Sequence, residues 1–241
     1  EDGASQSVYG RPTDIGDPSG TVDNYTIDAY NNIQVHTPAD LLPFGLTAKA
    51  ALAPNTADGD NNSYKNSGPI NPDTLVGGQL NHYQITAAPI DGLKLGAAYK
   101  DSDGGHGVTA QEYEAGGLYI NYAIGNFKVG YNKGYYGVGI AEKNGAVTKY
   151  ENTAYGIEFA INDSLSVSYN EEKSEAFTDV AIVAAAASGT KTSIESEMEV
   201  IQVAYIFGGA TLGIHIADVG NADYVTAKDE KLTIFTIAMD F

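Results

Sequence analysis

The sequence predicts an all-β fold, a transmembrane antiparallel up-and-down β-barrel. Three observations predict it: apolar residues alternate with polar ones at a period of two, short and long connections alternate along the chain, and a striped final segment stops at Phe241. A period of two sends alternate side chains to opposite faces of a strand. An apolar face opposite a polar face therefore needs apolar surroundings on one side and polar surroundings on the other.

The alternation is weakest at the start and clear from residue 93 onward. Predicted strands cover residues 26–36, 45–53, 76–88 and 93–100, then 112–124 and 127–136. Ile33 and Val35 share a face, as do Leu118, Ile120, Tyr122 and Ile124, and next Phe127, Val129 and Tyr131. Further strands are read at 147–161, 164–173, 192–206, 210–219 and 231–241. In these, Ile157 and Phe159, then Leu165, Val167 and Tyr169, then Val203 and Tyr205, then Ile214 and Ile216 form the apolar stripes. The strand lengths sit near the roughly 9–11 residues that a tilted strand needs to cross a bilayer.

The connections sort into two classes. Compact turns of Gly, Asn, Asp or Pro lie at 89–92, 125–126, 162–163 and 208–209. Longer polar loops lie at 53–75, 101–111, 137–146, 174–190 and 220–230. A meander through an outer-membrane barrel alternates in this way, with short turns on the periplasmic side and long loops outside. Greek-key sandwiches mix the lengths. The count is about eleven strands, whereas bacterial single-chain barrels have even numbers.

Composition narrows the function classes. Lys and Arg total 13 against 31 Asp and Glu, for a net charge of -18, which disfavours nucleic acid as a partner. With no Cys there are no disulfides and no thiolate metal sites. Tyr at 17 and Gly at 28 favour strands and tight turns. No apolar run approaches the roughly 18 residues of a spanning helix. No nucleophile elbow, HExxH, Walker loop or dinucleotide fingerprint is present, so no enzyme activity is expected. The only candidate pair for a barrel hydrolase is Ser168 with His215, a loose one that lies on a lumen face. The four histidines share no ligand spacing.

The final segment places Phe235, Ile237, Met239 and Phe241 on one face, which resembles the assembly signal of outer-membrane barrels. Residues 30–38, Tyr-Asn-Asn-Ile-Gln-Val-His-Thr-Pro, are followed by Leu42-Pro-Phe-Gly-Leu-Thr-Ala48. They resemble a strand–turn–strand of the general diffusion porins of Gram-negative bacteria, particularly the alphaproteobacterial type. His36 and the residues 39–43 depart from that pattern. The resemblance spans about residues 24–241 and lies in pattern more than identity.

It implies a cell outer-membrane location, a homotrimer, passive diffusion of small hydrophilic solutes and ions, and contacts with outer-membrane lipid and lipopolysaccharide. It also implies a sixteen-stranded barrel whose constriction loop follows the fifth strand. On that arithmetic the chain starts inside the loop at Glu1 and is N-terminally incomplete. Residues 1–24 are then the constriction-type or extracellular loop segment, and 25–241 the barrel portion. A twelve-stranded barrel with a weakly patterned first strand is the other arithmetic.

A pore needs a polar lumen and charges at its narrowest point. The expected lumen residues are Asp28, Gln34, His82 and Lys94, with Lys100, Lys128, Glu158 and His215 further along. In the candidate constriction segment the charges are Glu1, Asp2, Arg11, Asp14, Asp17 and Asp23. The acidic balance points to cation selectivity. Asp58, Asp60 and Asn62 resemble the start of a calcium loop, so Ca2+ in an outer loop is one reading and a solvated turn the other. Glu195, Glu197 and Glu199 alternate on one face, placed either to bind divalent ions against lipopolysaccharide or to protect a strand edge. The competing function is a soluble secreted β-sandwich, an adhesin or a carbohydrate-binding protein. Exposure of the apolar stripes, as opposed to their packing against a second layer, separates the two.

Overall fold

The computed structural model describes residues 32–38, 41–54, 79–102, 111–137, 147–179 and 191–239. They form one antiparallel sheet of eleven strands in sequence order. The strands are β1 (Ile33–His36), β2 (Thr47–Ala53), β3 (Leu80–Ala87), β4 (Leu93–Ser102), β5 (Tyr113–Ile124) and β6 (Phe127–Gly137). Then follow β7 (Val147–Asn162), β8 (Leu165–Asp179), β9 (Lys191–Phe207), β10 (Ala210–Gly220) and β11 (Glu230–Met239). The predicted meander is therefore present. The main displaced boundary is the end of β8, which runs to Asp179 where a loop was expected from residue 174.

The reason for that extension lies in the pairing. Beyond Tyr169 the strand reads Asn-Glu-Glu-Lys-Ser-Glu-Ala-Phe-Thr, with little apolar alternation to mark it. It is held instead between β7 and β9, in register as far as Thr178↔Thr192 and Asp179↔Lys191. On one face of this stretch Lys173 bridges Glu171 at 3.4 Å and Glu197 at 2.8 Å.

The short turns follow their residues. Gly208 and Gly209 join β9 to β10 with φ of 57° and 86°, the two positive values that a two-residue type I′ hairpin requires. Between β7 and β8, the Asn162 side-chain oxygen accepts from the backbone N–H of Ser164 and Leu165 at 2.9 and 3.0 Å, an Asx-type turn.

The two faces of the sheet are inverted relative to a water-soluble protein. The largest fully buried side chains are His82, Asn132 and Asn152, all polar. Large apolar side chains point outward and are exposed, among them Ile33 at 68%, Phe207 at 69% and Phe235 at 74%. No second layer covers them among the described residues. Glycine and alanine do much of the inward filling, and a small apolar cluster of Ala51, Ala53, Leu80 and Ala115 packs with Tyr136. Larger apolar residues also face inward at Leu80 on β3, at Val200 and Ile206 on β9, and at Leu232 and Ile234 on β11, the last two opposite Ala217 and His215.

Candidate functional site

The outward face has a defined height. Along β10 the apolar stripe of Leu212, Ile214 and Ile216 ends at Asp218. From the turn to that point is about 27 Å of strand at about 3.4 Å per residue. At a tilt near 40° this rises about 20 Å along the barrel axis, close to the roughly 25 Å apolar band of outer-membrane barrels. Charges appear at the same level on neighbouring strands. The registers align Tyr155, Glu171, Glu199, Asp218 and Lys231 in one row across β7 to β11.

Aromatic side chains mark both borders of the band. At the turn end Phe127 and Phe159 stack with ring centroids 4.6 Å apart, and Tyr205 lies 6.5 Å from Phe207. At the loop end Tyr155 donates to Glu171, and Tyr169 bonds Glu171 at 3.1 Å and Glu199 at 2.9 Å. Each ring lies in the apolar band while its hydroxyl reaches the charged row, which suits a membrane–water border.

The inward face is the candidate site. Of the residues expected to line it, Gln34 on β1, His82 on β3, Lys94 and Lys100 on β4, Lys128 on β6, Glu158 on β7 and His215 on β10 all lie on this face. Lys128 and Glu158 are direct cross-strand partners, and His82 sits opposite Lys100. Sequence reasoning missed Lys49 and Glu172, which point the same way. Lys49 was obscured because Ala48, Ala50, Ala51 and Ala53 put small residues on both faces of β2. Glu172 lies near the end of the strand read over 164–173, beyond the apolar stripe that closes at Tyr169, where no alternation marks a face.

Charge is distributed unevenly. Inward charges of the described strands are Lys49, Lys94, Lys100 and Lys128 on β2 to β6, against Glu158, Glu172 and Glu230 on β7, β8 and β11. The acidic excess lies elsewhere. Asp101, Glu114, Glu151, Glu171, Glu175, Glu195, Glu197, Glu199 and Asp218 face outward at the loop end. Among the described residues no group of three or more His, Cys, Asp or Glu is arranged to hold a metal ion.

Several inward polar atoms are buried and lack a hydrogen-bond partner among the described residues: both side-chain polar atoms of Asn132, Asn152 Nδ2, Ser168 Oγ, Asn170 Oδ1 and His215 Nδ1. Leaving such atoms dry costs about 1–3 kcal/mol each. Water in an open interior would satisfy them. Ser168 and His215 are separated by Gln202 on β9, and with Ser168 Oγ and His215 Nδ1 both unpartnered they form no nucleophile–base relay here.

Several expected positions lie outside the described residues. These are Glu1, Asp2, Arg11, Asp14, Asp17, Asp23 and Asp28, the calcium-like Asp58, Asp60 and Asn62, and the terminal Phe241. Phe235, Ile237 and Met239 lie together on the outward face of β11, exposed by 74%, 66% and 57%.

No protein-family model matches the chain, and no curated protein matches it by sequence. Solved structures do. The chain is similar to Salmonella typhi OmpF, solved in complex with daunomycin, with a TM-score of 0.53 and 11% identity over 86% of this chain. It is similar also to a refined porin structure, with a TM-score of 0.50 and 13% identity over 85% of this chain. The chain spans 60% of the length of each of these structures. At such identities the likeness speaks to architecture: the chain has the up-and-down barrel fold of the Gram-negative porins.

Proposed function

We propose that this chain forms the wall of an outer-membrane pore through which small hydrophilic solutes and ions diffuse passively. The observation that carries this reading is the inversion of polarity: exposed Ile, Val, Phe and Tyr outside, and buried Asn, Gln, Ser, His and Lys inside, on a porin-type meander. A secreted β-sandwich would bury the apolar stripes between its layers. Reconstitution into planar lipid bilayers tests the reading. Discrete, ohmic conductance steps are expected; a protein that stays soluble without detergent and forms no steps overturns it.

The selectivity we propose is for cations, and its origin is the loop-end mouth. Carboxylates at 171, 175, 195, 197 and 199 concentrate cations there, whereas the inward wall is edged by lysines on one side. A preference set by exposed charges is screened by salt, with a Debye length of about 10 Å at 0.1 M and about 3 Å at 1 M. Reversal potentials in KCl gradients should show cation preference at low salt and lose most of it near 1 M. Anion preference at low salt refutes this part.

Trimeric assembly and contact with lipopolysaccharide belong to the same reading. A shallow outward groove of about 640 Å3 over β1 to β4 supports the first, because Ala48, Ala50 and Ala97 leave room between Val35, Tyr83 and Ile85 for a neighbouring wall. Analytical ultracentrifugation in detergent tests it, and a monomer at all concentrations removes it. Calcium at Asp58, Asp60 and Asn62 is tested by calorimetric titration of Ca2+.

A further inference from the structure

The connection from β10 to β11 turns back over the inward face instead of extending away from the sheet. Ala222 is buried, at 5% exposure. The Tyr224 hydroxyl lies 2.7 Å from Ser174 Oγ on β8, and Ser174 in turn bonds Asn152 on β7. The Tyr224 ring stands 5.4 Å from that of Tyr150, which stands 6.2 Å from Tyr136 on β6. Reaching β8 from β10 means crossing β9, a distance of about 10 Å at about 4.8 Å per strand.

The connection is knitted into this shape. The Asn221 side chain donates to the Glu195 carbonyl at 2.9 Å and accepts from the Ala227 N–H at 2.9 Å. The Ala222 N–H donates to the Lys228 carbonyl at 2.7 Å. Lys228 pairs with Asp223, and with Glu230 at 3.1 Å. Asn221, Asp223, Tyr224 and Ala227 all have φ between 49° and 63°. Asn and Asp tolerate that region, whereas Tyr224 and Ala227 adopt it only where the surroundings hold them, and such strain accompanies functional segments. Burial raises the Tyr224 hydroxyl above its ordinary pKa, so it stays a neutral donor.

We propose that this connection is the narrowing element at the loop end of the pore, and that Tyr224 is the residue that sets the size limit there. The proposal rests on the pore reading. Three tyrosines from β6, β7 and the connection meet on the inward face, uncharged and bulky, and of the inward charges Glu172 lies close enough to act on the Tyr224 hydroxyl. A solute passing this level meets ring edges and hydroxyls, so hydrated size decides passage.

The experiment uses the full chain in planar bilayers and in liposomes challenged with neutral sugars of graded size. Tyr224→Ala should raise single-channel conductance about twofold and admit larger sugars. Tyr224→Phe, which keeps the ring and loses the Ser174 bond, should leave the size limit near that of the parent. Wild-type conductance and cut-off in Tyr224→Ala overturn the proposal.

A second readout does not need conductance. The chain has no cysteine, so Asn152→Cys introduces a single thiol at a position with 0% exposure beneath the connection. A charged, water-soluble thiol reagent should label it several-fold faster when Tyr224 is Ala; equal rates overturn the covering role. A parent chain that forms no channel, yet shows this labelling difference, sinks the pore reading and leaves the placement of the connection standing.

Discussion

At the scale of single residues, what distinguishes the two faces is the cost of a charge. Ile214 stands mid-stripe on the outward face of β10, between Val203 and Phe235. Ile214→Arg should destabilise the folded barrel in lipid by about 2–4 kcal/mol. Thr211→Arg, three residues away on the inward face, should cost less than about 1 kcal/mol, because its charge meets water. Urea titrations from lipid vesicles compare the two, and equal costs contradict the assignment of faces. The border tyrosines are a subtler case. Tyr169→Phe removes the bonds to Glu171 and Glu199 and should cost about 1 kcal/mol in the same titration.

At the scale of elements, the turns are the parts with least tolerance. Gly92 precedes β4 with φ of 78°, its carbonyl accepts from the Ala123 N–H at 3.0 Å, and a Cβ there would fall on the Ala123 carbonyl oxygen. That neighbour is backbone and cannot rotate away. Gly92→Ala should therefore cost about 1–3 kcal/mol and slow assembly, read as a lower fraction of heat-modifiable, compact protein on unheated detergent gels. Most strands were legible because alternation from Leu93 onward is dense. The β8 extension was not, because beyond the charged row at Glu171 the outward face is no longer apolar and alternation loses its cause. The inward lysine of β2 was hidden by the alanines around it.

At the scale of the whole molecule, net charge and the charge of the inward face are different quantities. The chain carries -18, yet the described inward face holds Lys49, Lys94, Lys100 and Lys128 against Glu158, Glu172 and Glu230. Charge reversal at the mouth, Glu195→Lys with Glu197→Lys and Glu199→Lys, should therefore weaken cation preference at 0.1 M salt and change it little at 1 M, where screening reaches about 3 Å. Reversal potentials measure both. A loss of preference that persists at 1 M would place the selective charges inside the pore.

Period-two alternation, alternating connection lengths and the stripe before Phe241 were sufficient to determine the fold class. Each is a local consequence of a strand with apolar surroundings on one side and polar surroundings on the other, so each is written along the chain. The folding of residues 221–229 onto β7 and β8 was decided only by tertiary structure. Tyr224 meets Ser174 and Tyr150, which are 50 and 74 residues earlier, through pairing registers and a left-handed turn that no periodicity encodes. A repeating environment leaves a repeating trace in sequence; a single long-range contact leaves none.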